Sequence, residues 1–231
     1  MRIWITRAEP EASATAERVR ALGHEPVVAP VLEVLPAGGT PDLSGVAALA
    51  FTSRNGVAAF AAICTERDLP VFVVGEATAR AARGSGFARV QSADGDVTAL
   101  AELIARGRGG FSGVLLHPGA QAPAEDLPAA LKLHGVAAHA HPVYRTEPVA
   151  TPAAITAALA ARPVELDAVL VHSPRAAACL AALADLQRAA QLIDAFCISA
   201  AAAAPLKPLN LRSVAVAPHP DETALLNLLS S

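Results

Sequence analysis

Short apolar runs alternate with longer, alanine-rich amphipathic stretches along the whole chain, the pattern of parallel strands joined by crossover helices. Ile3-Trp4-Ile5 predicts a strand, followed by a helix from about Glu9 to Leu22 that stops at Gly23, a residue suited to ending helices. Val27 to Ala29, Val46 to Phe51, Val71 to Val74, Val90-Gln91 and Val114 to Leu116 predict further strands with helices between them. Ala168 to Val171, Ala195 to Ile198 and Val214 to Ala217 continue the scheme in the last third. Asp96 and Asp221 stand where helices begin, each able to accept a backbone N–H as an N-cap.

The scheme also repeats. Phe51-Thr52-Ser53-Arg54-Asn55-Gly56 aligns with Val171-His172-Ser173-Pro174-Arg175-Ala176 at an offset of 120. Phe72 to Ala79 aligns with Phe196 to Ala203 at 124, and Asp96 to Leu100 with Asp221 to Leu225 at 125. A steadily growing offset is what two copies of one unit leave after small loop insertions, and a unit this long is a domain, not a solenoid repeat. Two stretches break the rhythm: Val31 to Pro36 and His139 to Thr146 are extended and flanked by Pro or Gly. If they pair, the chain begins one domain, crosses to build the second and returns to finish the first. The expected division is 1–30 plus 151–231 as one domain, 42–136 as the other, and 31–41 and 137–150 as linkers, with a ligand cleft between similar domains.

Composition narrows the function. With 231 residues of which 53% are hydrophobic, the chain can bury two cores of ordinary domain size. A net charge of -3 argues against a general nucleic-acid binder, which needs a basic surface. Cys64, Cys179 and Cys197 are widely spaced in apolar contexts, so neither a disulfide framework nor a Cys-x-x-Cys pair is indicated. The apolar stretch between Arg2 and Arg7 is too short for a signal peptide and no apolar run could span a bilayer, so a cytoplasmic protein without membrane partner is expected.

Candidate chemistry gathers at strand-to-helix turns. Ser53-Arg54-Asn55 and Ser173-Pro174-Arg175 open helices just after strands, where unpaired N–H groups and the helix dipole favour anions. Each serine alone serves equally as an N-cap; their recurrence in both copies favours an anion site. Gly75-Glu76-Ala77-Thr78 is a second such turn, where glycine lets a ligand approach the backbone and the Thr78 hydroxyl can donate. No Gly-x-Gly-x-x-Gly opens a helix and no Gly-x-Ser-x-Gly elbow exists, so nucleotide-binding and hydrolase signatures fail. His139 and His141 share one face of a strand but lack an acidic or Cys partner nearby, so no metal site is expected. His117 and His219 read as lone turn histidines, and Tyr144, the sole tyrosine, lies in the second extended stretch.

Ile5-Thr6-Arg7, the run Phe51-Thr52-Ser53-Arg54-Asn55-Gly56-Val57, Val74-Gly75-Glu76-Ala77-Thr78-Ala79, Val143-Tyr144-Arg145-Thr146 and His172-Ser173-Pro174 resemble, in order, the motifs of the uroporphyrinogen-III synthase family. The resemblance implies two similar parallel-sheet, flavodoxin-like α/β domains joined by a two-stranded linker with the ligand cleft between them. It implies a cofactor-free lyase of tetrapyrrole (haem) synthesis that closes hydroxymethylbilane to uroporphyrinogen III with the last ring, ring D, inverted. By similarity Tyr144 and Thr78 are the catalytic positions and Ser53, Asn55 and Ser173 cleft positions; with Arg7 and Arg54 as cations for a substrate rich in carboxylates, and Thr52, Gly75 and Ser199 at the same turns, they make up the expected substrate-binding set. The expected partner is the small-molecule substrate alone, bound by a monomer.

The chain departs from the family pattern at two points. Ala202 stands where second-repeat members usually carry Thr, and Leu116-His117-Pro118-Gly119 replaces a Leu-Arg-Gly turn. These departures leave open a weaker enzyme or a degenerate paralogue; the rival reading, from the repeat, the anion sites and the lost Thr, is a non-enzymatic two-domain sensor of a carboxylate-rich small molecule, which would need neither Tyr144 nor Thr78.

Overall fold

The structure is a computed structural model that describes residues 1–9, 11–123 and 125–230, with the backbone alone at 108. The chain runs through β1 (Arg2–Ile5), α1 (Glu11–Ala21), β2 (Glu25–Val28), β3 (Leu32–Pro36), β4 (Val46–Phe51), α2 (Arg54–Ile63), β5 (Val71–Val73) and α3 (Glu76–Gly84). It continues with β6 (Val90–Ser92), α4 (Val97–Arg106), β7 (Val114–Ala120), α5 (Leu127–Leu133), β8 (Ala138–Pro148), α6 (Ala153–Ala160), β9 (Ala168–Val171) and α7 (Pro174–Ala181). The last part holds α8 (Ala184–Ala189), β10 (Asp194–Cys197), α9 (Ala200–Ala203), β11 (Ser213–Val216) and α10 (Glu222–Asn227). The expected first helix starts later than Glu9: Glu9 instead accepts from the Ser13 backbone N–H at 3.0 Å, and Pro10 lies outside the described residues.

The chain divides into two units, residues 1–33 with 147–231, and residues 34–146. The first holds a five-stranded sheet in the order β11-β10-β9-β1-β2, parallel throughout. The second sheet has the order β3-β8-β7-β4-β5-β6 and is parallel from β8 to β6. Strand β3 runs antiparallel to β8: Val149 N donates to Val31 O at 3.1 Å and Ala37 N to Val143 O at 3.1 Å, so one index rises as the other falls. The second extended stretch is therefore more than the connection expected over 137–150, because β8 is a full strand whose backbone also pairs with β7.

Set side by side, the sheets read β2-β1-β9-β10-β11 and β8-β7-β4-β5-β6. The sequence repeat matches β9, β10 and β11 to β4, β5 and β6, so β1 occupies the place of β7 and β2 that of β8. One unit is a circular permutation of the other. Strands that open the first unit close the second, which is why an offset near 120–125 could pair only three of the five.

The apolar runs follow from burial on both faces of a parallel sheet. Every residue of β9 and of β5 is buried. Alternate side chains of a strand serve opposite layers: Trp4 joins one core of the first unit while Ile3 and Ile5 join the other, and Ala48 and Ala50 part from Leu49 and Phe51 in the second. Each unit thus has its own two layers of core. Among the described residues no helix is long and apolar enough to cross a membrane.

Candidate functional site

In sheets of this order the topological switch point, where ligands gather beyond the strand ends, lies between the first and third strands. That is between β7 and β4 in the second unit and between β1 and β9 in the first.

At the end of β4 in the second unit, Ser53 is extended (φ -154°, ψ 154°) and its Oγ accepts from Gly56 N at 3.0 Å, capping α2. The same Oγ lies 3.1 Å from the Tyr144 phenol oxygen, within hydrogen-bond reach. Tyr144 is buried at 8% exposure, paired with Ala120 across the β7–β8 ladder. Two residues that are 91 apart in sequence thus meet at a helix N-terminus, bringing a phenol to the place where the helix dipole favours negative charge. Arg54 is exposed and Asn55 half-buried on the first turn of α2. Thr52 Oγ1 shares a hydrogen bond with His117 Nε2 at 3.2 Å.

The neighbouring turn follows β5. Gly75 caps α3 without a side chain, in extended backbone that any residue adopts (φ -160°, ψ 170°), and a Cβ there would meet nothing within 4 Å. The space in front of it is open. Thr78 is buried, donates its N–H to Gly75 O at 3.0 Å, and its hydroxyl finds no partner among the described residues.

The first unit repeats the turns with different chemistry. Ser173 (φ -158°, ψ 154°) caps α7 by accepting from Ala176 N at 3.1 Å, as Ser53 does for α2. Ser199 (φ -159°, ψ 164°) has the backbone of Gly75 but adds a hydroxyl, which accepts from Ala202 N at 3.2 Å. Ala202 takes the place of Thr78 and is fully buried. Each of these two turns therefore carries one hydroxyl, at the cap in one unit and three residues later in the other.

Arg7, expected in the substrate-binding set, stands beside a carboxylate. Its guanidinium donates to Glu222 Oε2 at 2.7 Å, and the same carboxylate takes bonds from Thr15 Oγ1 at 2.6 Å and His172 Nε2 at 3.1 Å. Burial works to raise the Glu222 carboxyl, but the bond and charge of His172, with Thr15 and Arg7, overcome it and hold the group at about 2. Sequence reasoning missed Glu222 because its partners lie up to 215 residues away and its counterpart in the repeat is Val97. His117, set aside as a turn histidine, is likewise 2% exposed, and burial pushes it down to about 4 against the pull of Asp126. Among the described residues no group of three His, Cys, Asp or Glu side chains could hold a metal ion.

A family model described as uroporphyrinogen-III synthase HemD matches residues 13–227. Comparison with curated proteins yields no match. The crystal structure of uroporphyrinogen-III synthetase from Helicobacter pylori is similar over 99% of this chain and 97% of its own, with TM-score 0.63 and 16% identity. A mutant uroporphyrinogen III synthase from the extremely thermophilic bacterium Thermus thermophilus is similar over 100% and 98%, with TM-score 0.57 and 19% identity. Both likenesses are of fold.

Proposed function

The chain belongs to the uroporphyrinogen-III synthase family, enzymes of the lyase class that cyclise hydroxymethylbilane, and on that premise we propose which of its side chains perform the reaction. The Tyr144 phenol donates a proton to the departing terminal hydroxyl of hydroxymethylbilane, so that water leaves and an azafulvene cation remains. The substituted carbon of the last ring then attacks that cation to give a spiro intermediate, which fragments and recloses with the ring inverted, and the proton released from the newly bonded pyrrole carbon restores the phenol. The Ser53 hydroxyl partners the phenol. Thr78, with Gly75 leaving the backbone open, binds substrate or intermediate, while Thr52, Arg54, Asn55, Ser173 and Ser199 supply polar groups at helix N-termini for its carboxylates. Arg7 acts through its pairing with Glu222. No cofactor enters the scheme. The main task is conformational: the enzyme holds a flexible chain so that inverted closure outruns direct closure.

One contact carries these roles, Ser53 Oγ against the Tyr144 hydroxyl at 3.1 Å on the first turn of α2. The test is isomer analysis of the product made from hydroxymethylbilane by purified protein with no metal or nucleotide added. The type III isomer is expected. Since uncatalysed closure gives type I, a protein that binds substrate yet yields only type I would be a carboxylate-binding sensor instead.

A further inference from the structure

The ring of His117 is buried against Thr52. Its Nε2 meets Thr52 Oγ1 at 3.2 Å, whereas its Nδ1 is buried and has no hydrogen-bond partner. An orphaned buried polar atom destabilises a fold, and a phenylalanine would fill similar space without that penalty, so the ring's value lies elsewhere.

Its surroundings say where. A Cβ on Gly119 would come within 3.0 Å of His117 Nε2, and one on Gly56 within 2.9 Å of Pro118 O. The end of β7 therefore rests directly on the start of α2, with no side chain interposed. Ala120, the last residue of β7, pairs with Tyr144, and the backbone N of the following residue, Gln121, donates to Tyr144 O at 2.8 Å, so the backbone that carries the phenol is fixed to the end of β7. Strand β7 lies between β4 and β8 in the sheet. The separation of the Ser53 hydroxyl, which follows β4, from the Tyr144 hydroxyl, on β8, is accordingly set through β7, and the His117–Thr52 bond ties that strand to the turn.

We propose that His117 is a positioning residue, which by bonding Thr52 from β7 fixes the Thr52-Ser53 turn where the Ser53 hydroxyl meets the Tyr144 phenol. Its consequence for turnover rests on Tyr144 being the proton donor; its consequence for the geometry of the phenol does not.

Tyr144 is the only tyrosine in the chain, so the tyrosine Fermi doublet of a Raman spectrum reports this one phenol, and the intensity ratio of the doublet follows the phenol's hydrogen bonding. His117→Phe keeps the ring and removes both nitrogens, His117→Gln keeps a side-chain amide long enough to reach Thr52, and Ser53→Ala supplies the reference spectrum of a phenol without its partner. In His117→Phe the doublet should move toward that of Ser53→Ala, and kcat should fall by about 10- to 100-fold with KM changed far less, as a small misplacement of a reacting group can cause. His117→Gln should restore most of both. If His117→Phe fails to fold, as judged by thermal melting, His117→Asn, whose amide is too short to reach Thr52, takes its place. A wild-type doublet in a folded Phe or Asn variant overturns the proposal, and so does a doublet displaced equally in the Gln variant. Should Tyr144→Phe keep wild-type turnover, the proton-donor role falls, and the doublet still decides the role of His117.

Discussion

Two titratable side chains, buried His117 and half-buried Glu222, give the protein two separate acid responses. His117 is held at about 4 by burial, against 6.5 for the free group. The unfolded chain therefore takes up a proton that the folded one refuses, and stability falls as pH drops through the window from 6.5 to about 4, by up to about 3 kcal/mol. Glu222 is held at about 2 against 4.5, its burial outweighed by His172, Thr15 and Arg7. Its contribution is complete above 4.5 and is lost as pH falls toward 2, again up to about 3 kcal/mol before solvent screening of a partly exposed group. Urea unfolding across pH should show both declines. His117→Phe should flatten the upper one alone, while Glu222→Gln should flatten the lower one and reduce stability at neutral pH. An unchanged slope between pH 6.5 and 4 in His117→Phe would mean that the ring is not held neutral.

At the level of elements, the closeness of β7 to α2 makes the glycines of two motifs behave differently. A Cβ at Gly56 meets a backbone oxygen, Pro118 O, that cannot swing aside, so Gly56→Ala should push α2 from β7 and cost about 1–3 kcal/mol despite the better helix propensity of alanine. A Cβ at Gly75 enters open space, so Gly75→Ala should leave the melting temperature nearly unchanged and weaken substrate binding alone. Thermal melts beside KM measurements separate the two; equal loss of stability in both would refute the distinction. The elements most legible in the sequence were those fixed locally. Strands β4 and β9 could be read to the residue because burial on both faces makes them unbroken apolar runs, and the caps at Asp96 and Asp221 because their bonds, 2.9 and 2.8 Å, span three residues. Strand β7 outran its expected end at Leu116 because His117-Pro118-Gly119 has the letters of a turn. Beyond Leu116 the strand pairs only with β8, and proline, which lacks an N–H, is tolerated on a strand flank left unpaired. Contacts such as Ser53–Tyr144, His117–Thr52 and Arg7–Glu222 leave no local trace, since each joins residues that only the closed sheet brings together.

At the scale of the whole molecule, the permutation makes the two units unequal as pieces of chain. The second is continuous over 34–146 and contains all the residues of both its core layers. The first is split: its interior strand β1 and edge strand β2 come from 1–33, while β9, β10 and β11 come from 147–231. Without the first segment, β9 loses a neighbour on one side, and Trp4, Ile3, Ile5 and the α1 side chains Ala12, Ala16 and Val19 vanish from the two layers. Residues 34–146 expressed alone should therefore unfold cooperatively in urea and give dispersed amide resonances, whereas 147–231 alone should do neither. Val31 O already accepts from Val149 N at 3.1 Å, so the two segments of the first unit can be spliced by joining Glu33 to Glu147 through a short glycine loop. That spliced chain should regain cooperative unfolding, because the loop closes over a small gap and its entropy cost grows only slowly with length. Cooperative folding of 147–231 by itself would show that β1 and β2 are an addition to a complete core, and would remove the permutation as an account of why the first unit must begin and end the chain.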